Sequence, residues 1–225
     1  MGLARRHIYA FWTGTKPMGQ QRAGALANML ANLTGNVVLV TPSNLTDFVV
    51  PEHPLHPAYP HLHLTHKADY LRTYFMHHYG GGYSDIKYYP AGNNYGAVFD
   101  HLASNNSCWG VGYQELGPGT VAPNANSTVK DAWQLLVGNG AYVFRPKTPL
   151  TTEWLRQAHA LLDSKLEALI KAKAGDTSRA IGIEYPIGWT NLLGNIFHLV
   201  NYEYRYQVQG WLQPPSMGGY RDTGT

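Results

Sequence analysis

The stretch from His7 to Val40 constrains the fold most. HIYAFW, residues 7 to 12, is a short continuous run of apolar and aromatic residues closed by Thr13-Gly14, and Val37 to Val40 is a second short run closed by Thr41-Pro42. Runs of this length, bounded by turn residues, read as buried strands. Between them, from Gly19 to Leu33, the apolar residues Leu26, Met29, Leu30 and Leu33 recur at helical spacing, and Gly35 supplies a stop. Strand, helix, strand at this spacing begins a parallel α/β sheet.

The rest of the chain continues the theme. Residues 50 to 61 are rich in Pro and His and read as irregular; Lys67 to Tyr79 returns to a helical pattern through Tyr70, Leu71, Tyr74 and Phe75, and Gly80-Gly81-Gly82 ends it. Tyr83 to Tyr88 reads as a strand, as do Trp109 to Tyr113 and Ala141 to Phe144, while residues 117 to 127 look like loop. Thr152 to Lys173 is the longest amphipathic helix, with Trp154, Leu155, Ala158, Leu161, Leu162, Leu166 and Leu169 on its apolar stripe. No Ser/Gly-rich or Pro-rich linker divides the 225 residues, so a single α/β domain is expected, its sheet mixed but mainly parallel and flanked by helices.

Composition narrows the partners. A balance of 17 basic to 14 acidic residues gives a net charge of +3, without the clustered basic surface that nucleic-acid binding needs. Only 14% of residues are charged while Tyr, Trp and His are plentiful, which suits recognition of carbohydrate by rings and neutral polar groups. The single cysteine, Cys108, excludes an internal disulfide and a thiolate zinc site and reads as a small buried hydrophobe. The run after Met1 to Arg6 is broken before a signal-peptide core forms, and no stretch reaches transmembrane length, so a cytoplasmic protein is expected.

Chemistry concentrates in HKADYLRTYFMHHYGGGYSDIK, residues 66 to 87. On a helix Asp69 and Arg72 share a face, where they either pair with each other or turn a carboxylate and a guanidinium toward one ligand. The triple glycine lets the backbone turn sharply just before Asp85, and in an α/β chain ligands bind at strand ends.

Asp-x-x-Arg followed by a helix ending in Tyr-Gly-Gly-Gly-Tyr-Ser-Asp resembles the core motif of sugar transferases with the glycosyltransferase A-type, Rossmann-like fold. It is similar in particular to glycosyltransferase family 32, the capsular polysaccharide synthesis proteins and related enzymes of large algal viruses. Phe11-Trp12-Thr13-Gly14 is similar to the family's Trp-x-Gly turn, and the likeness extends to Gly138-Asn139-Gly140 and Pro146-Lys147-Thr148-Pro149. The resemblance implies transfer of a hexose or deoxyhexose from a UDP-sugar to a glycan or glycoprotein acceptor, with retention of configuration. It places nucleotide-sugar binding in about the first 150 residues and the acceptor side in the remainder, either as a whole enzyme or as one module of a larger one. Trp12 would stack on the uracil with Thr13 beside it; Asp69 would hold sugar hydroxyls, Arg72 the sugar or phosphate, and Asp85, as first acid of an Asp-x-Asp motif, a divalent Mn²⁺ or Mg²⁺ ion. The expected donor set is thus Trp12, Thr13, Gly14, Asp69, Arg72, Gly82, Asp85, Asn139 and Trp189, with Asp69, Arg72 and Lys87 as the catalytic groups.

The sequence departs from that motif at its second acid, which is Lys87. Either Lys87 pairs with Asp85, or the metal is held by Asp85 and a residue from elsewhere, or the ammonium itself neutralises phosphate. His198 either completes a metal or phosphate site with Asp85 or is a structural histidine. Glu184 and Trp189, in a loop punctuated by Gly and Pro, suit an acceptor sugar, with core packing the alternative for Trp189. The tail Gly218-Gly219-Tyr220-Arg221 reads as a flap over the diphosphate or a frayed end. Two rival functions are a metal-dependent hydrolase built on His61, His63, His66, His77 and His78, and a noncatalytic sugar-nucleotide or glycan-binding module.

Overall fold

The structure is a computed structural model that describes residues 6–172 and 185–218. Glu184, Gly219, Tyr220 and Arg221 lie outside the described residues. The opening unit forms as the apolar pattern requires: β1 (His7–Phe11), α1 (Gln20–Asn32) and β2 (Asn36–Val40), with the two strands parallel. Then follow α2 (Leu64–His78), β3 (Gly81–Ser84), α3 (Tyr95–Ser104), β4 (Gly110–Gln114), α4 (Ser127–Asp131), β5 (Val137–Phe144), α5 (Pro149–Ala172), α6 (Gly194–Glu203) and β6 (Val208–Gln209). They build a six-stranded sheet in the order β2-β1-β3-β5-β4-β6. β1 is parallel to both its neighbours and β4 to β6, while β5 runs antiparallel between β3 and β4.

Alternation along β1 divides the core. Tyr9 and Phe11 face a layer of α2, α5 and α6 residues that includes Phe75, Trp154 and Phe197. Ile8 and Ala10 face the other side, where Met29 of α1 and Phe99 of α3 pack. Both faces of the sheet are therefore covered by helices, the arrangement that parallel strands need because neither face can be left to water. Buried Arg145 satisfies carbonyls in the last turn of α3 and just beyond it, donating to those of Leu102, Asn105 and Cys108. Cys108 itself is buried. Among the described residues no helix is long and apolar enough to cross a membrane.

Several boundaries differ from the expectation. The helix expected from Lys67 starts earlier, at Leu64, with the imidazole of His63 accepting from the backbone N–H of His66. The strand expected over Tyr83 to Tyr88 lies instead over Gly81–Ser84. Gly80 and Gly81 take positive φ, of 62° and 90°, and the space beside Gly80 is filled by Pro146. These glycines are thus the helix stop and the start of the strand at once. β5 begins at Val137, so Gly138-Asn139-Gly140 lies within the strand and not ahead of it.

Candidate functional site

β1 and β3 are adjacent and parallel, so Trp12-Thr13-Gly14 and Asp85 leave the sheet at the same edge. The turn after β1 is fixed against the start of α2: the Thr13 hydroxyl donates to the carbonyl of Leu64, and Gly14 lies so close to the Leu64 side chain that an added Cβ would come within 2.8 Å of it. Half-buried Trp12 packs against the α1/α3 core and donates its Nε1–H to the carbonyl of Lys16 at 2.7 Å.

Asp69 and Arg72 come to this edge from α2, and both are buried. The guanidinium is held at both terminal nitrogens and over one face. Its Nη2 lies 3.1 Å from Asp85 Oδ1 and 3.5 Å from Asp69 Oδ1, its Nη1 donates to the carbonyl of Asn139 at 3.0 Å, and its carbon sits 4.5 Å over the ring of Tyr83. Its Nε–H is buried without an acceptor among the described residues. The helical pair of Asp69 and Arg72 thus exists, but it is the looser of the two contacts.

Asp85 stands just beyond β3, its N–H donating to Gly140 on β5 at 2.8 Å. Oδ1 receives Arg72 and, at 2.6 Å, the hydroxyl of Tyr83; Oδ2 receives the ammonium of Lys87 at 3.0 Å. Gly140 leaves the room this requires, since a Cβ there would come within 3.2 Å of Oδ2. Gly138 likewise yields its space to the ring of Tyr113. Burial alone would raise the Asp85 pKa, but Arg72, Lys87 and the Tyr83 hydroxyl outweigh it and hold the group below the usual carboxylate range. Asp69, also buried, is balanced only by Arg72 and is opposed by Asp85, so its pKa is raised to about 7.

This charge pattern bears on the expected cation. Both oxygens of Asp85 are already occupied by cationic or hydroxyl donors, and a divalent ion would have to displace Lys87 to reach Oδ2. His198 is committed elsewhere: its Nδ1 accepts from the N–H of Ala122 at 3.0 Å and its Nε2 lies 2.8 Å from Glu115 Oε1, both side chains being buried. Among the described residues no group of three or more His, Cys, Asp or Glu is placed to hold a metal ion. As arranged, Asp85 and His198 do not fit a shared divalent-cation site: Asp85 is held by Arg72 and Lys87, and both ring nitrogens of His198 are hydrogen-bonded elsewhere.

The other expected residues take distinct places. Gly82 lies inside the sheet, between Ile8 and Tyr95, where it serves packing. Asn139 contributes its carbonyl to Arg72. Trp189 is 53% exposed, its ring 6.3 Å from His63 in a stacked orientation. His63 and His66 stack at 4.1 Å, and His66 bonds Tyr185 at 2.9 Å and the carbonyl of Trp189 at 3.3 Å, so this pair docks the 185–189 segment onto α2. His61 lies in a short 3-10 turn and His63 caps α2, so these two histidines of the hydrolase reading share no strand face. The last described residues cross near the site: the N–H of Ser216 donates to the carbonyl of Tyr88, and the Lys87 ammonium lies 3.8 Å from the sulfur of Met217.

Tyr83 is the functional candidate that sequence reasoning missed. The signal was present in Tyr-Ser-Asp, where an i, i+2 relation puts a hydroxyl beside the carboxylate, but it was read only as strand. No protein-family model matches the chain, and no curated protein matches it in sequence. Among solved structures it is similar to the PaToxG glycosyltransferase, with 12% sequence identity and a TM-score of 0.46 over 89% of this chain and 69% of that one.

Proposed function

We propose that this chain transfers a sugar from a nucleotide-sugar donor, a UDP-sugar, to a glycan acceptor. The observation that carries the reading is the convergence of Arg72 and Lys87 on Asp85 at the edge where the Trp12-Thr13-Gly14 turn also emerges. In sugar transfer the bond from the anomeric carbon to the phosphate oxygen breaks, and the nucleoside diphosphate leaves with the electron pair. Cations already in place at the diphosphate stabilise that developing charge without reorganising. Arg72 supplies a planar fork suited to phosphate oxygens and Lys87 a compact ammonium. Asp85 holds the two in register before the donor arrives, and Tyr83 holds Asp85.

Asp69, with its pKa near 7, offers a carboxyl that bonds donor-sugar hydroxyls as acceptor or donor. Trp12 provides a ring for the uracil. The two resident cations take the place that a divalent ion holds in the resembled motif, so transfer proceeds without added metal. Likeness to family 32, the capsular synthesis proteins and the algal-virus enzymes, together with retention of configuration, belongs to this proposal.

The experiment is a screen of nucleotide sugars read by thermal stabilisation and by release of free nucleoside diphosphate. UDP-sugars should stabilise the fold more than adenosine or guanosine counterparts and should be turned over in chelator. Equal shifts for all nucleotides would remove the base assignment, and binding without release of UDP would leave a binding module.

A further inference from the structure

A second cavity, of about 400 Å³, lies between α5, the start of α6 and the segment around Asn124. Its polar wall is amide: Asn124, Gln157, Asn191 and Asn195. Its floor is aliphatic, with Ile196 and Leu199 from α6 and Leu161 from α5. No carboxylate lines it, and the one guanidinium at its rim, Arg156, is already bonded twice by Glu153, at 2.6 and 2.7 Å. The lining is therefore close to neutral and rich in groups that both donate and accept.

Its internal bonding is incomplete. Asn195 Nδ2 donates to Asn191 Oδ1 at 3.0 Å, but Asn195 Oδ1 is buried with no donor among the described residues. Gln157 gives its Nε2–H to Glu153 at 2.8 Å, which leaves its carbonyl oxygen as the group available to a ligand. The cavity is also joined to the donor site. Asn191 closes a turn onto the carbonyl of Gly188, and exposed Trp189 lies within that turn. Gly194, beside Asn195, lies against the amide of Asn139, whose carbonyl holds Arg72; a Cβ on Gly194 would be 3.8 Å from that amide nitrogen.

From this geometry we infer that the amide-lined cleft is the binding site for a neutral glycan, the acceptor chain of the transfer reaction. Primary amides bond vicinal hydroxyls, an aliphatic floor takes the C–H face of a pyranose, and the nearby indole offers a further stacking face. A nucleotide or an acidic chain would find no free cation in the lining to match its charge. The identification of the occupant as an acceptor rests on the glycosyltransferase reading; the binding of a neutral glycan at this cleft does not.

The test is saturation-transfer NMR of the wild-type chain with neutral oligosaccharides (malto-, chito-, manno- and xylo-oligomers) and with sulfated heparin fragments as the charged comparison. Asn191→Ala and Gln157→Ala are measured in parallel, each checked for folding by its melting temperature. At least one neutral series should bind, and each truncated amide should weaken it about three- to tenfold, the affinity equivalent of one hydrogen bond. UDP binding and slow hydrolysis of the donor by water should be unchanged in both variants. If no neutral oligomer binds while UDP still does, or if neutral oligomers bind wild type and both folded variants alike, the cleft assignment is overturned and the donor site stands. If UDP-sugar is neither bound nor turned over but a neutral oligomer binds and is lost in Asn191→Ala and Gln157→Ala, the cleft stands as a glycan site and the transferase reading falls.

Discussion

The guanidinium of Arg72 lies closer to Asp85, at 3.1 Å, than to Asp69 on its own helix, at 3.5 Å. The contact joins α2 to the end of β3 and makes the helix carry a cation for the sheet edge. A double-mutant cycle should see this asymmetry. Arg72→Lys combined with Asp85→Asn should show a larger coupling energy than Arg72→Lys combined with Asp69→Asn, on the order of 1–3 kcal/mol for the former. On the proposed function, Arg72→Lys alone should lower turnover on the order of a hundredfold, because an ammonium cannot replace a planar fork at phosphate oxygens. Equal couplings would return Arg72 to a simple intrahelical pair.

Lys87 stands where the resembled motif has its second acid, and it contacts the remaining acid directly. Transfer by the wild type should therefore survive chelator. Lys87→Ala should lose about 10²–10³-fold in turnover, the scale of one preorganised electrostatic contact. Lys87→Asp removes the ammonium and frees Asp85 Oδ2, creating an oxygen-ligand pair suited to Mn²⁺ or Mg²⁺. Any activity of that variant should depend on added cation. A wild type inactivated by chelator and restored by Mn²⁺ would reverse the assignment.

Trp12 is half-buried, and its indole N–H is already used by the carbonyl of Lys16, so the ring is held in place before any base arrives. Trp12→Ala should weaken UDP binding by about 1–3 kcal/mol, as loss of a base-stacking ring does. Trp12→Phe should recover part of it. Calorimetric titration with UDP measures both, and an unchanged affinity in a folded Trp12→Ala would assign the ring to the core alone.

How far the sequence carried depended on where partners sit. β1, α1 and β2 were legible because their pattern is local, an apolar run or a helical period within each segment. Gly81 and Gly82 were read as the end of a helix because glycine carries no hydrophobic signal, yet they pair with Phe144 and Val143 in the middle of the sheet. Asp69, Arg72, Asp85 and Lys87 were legible as a group through the motif. What closes the group was not: the carbonyl of Asn139 and the space left by Gly140 come from β5, a strand whose register no local pattern reveals. The same holds for His198, whose partner Glu115 follows β4 far away in sequence.

Asp69 gives the fold a stability contribution that is lost as pH rises toward neutrality. Its pKa is raised from 3.8 to about 7, chiefly by burial, so the folded state favours the neutral carboxyl. The stability this contributes is complete below pH 3.8 and is lost as pH rises through about 7. The histidines titrate across the same range, so the group is isolated by difference: the stability of the ligand-free wild type relative to Asp69→Asn, read from melting temperatures, should fall as pH rises from about 4 to 7 and stay level above that. Parallel curves for the two proteins would show that the carboxylate is already ionised at neutral pH.

The histidines act in the opposite direction. His53, His77, His78 and His159 line a cavity of about 380 Å³ between the end of α2 and the start of α5, with Glu52 and Arg156 at its walls. Burial, neighbouring imidazoles and Lys147 lower the pKa of His78 to about 4 and also depress His77. Burial and His56 depress His159, against the pull of Asp163. In the 185–189 dock, burial and His63 lower His66 to about 4. His66, His77, His78 and His159 are held neutral by the fold at pH values, near 6.5 and below, where the unfolded chain binds protons. Stability should therefore fall as pH drops through 6.5 and level off near 4, the window set by the unfolded and folded values. His78→Gln keeps a polar side chain of similar size and removes one titrating site. It should reduce the loss of melting temperature between pH 6.5 and 4.5, whereas an undiminished loss would assign the acid sensitivity to the dock at His66.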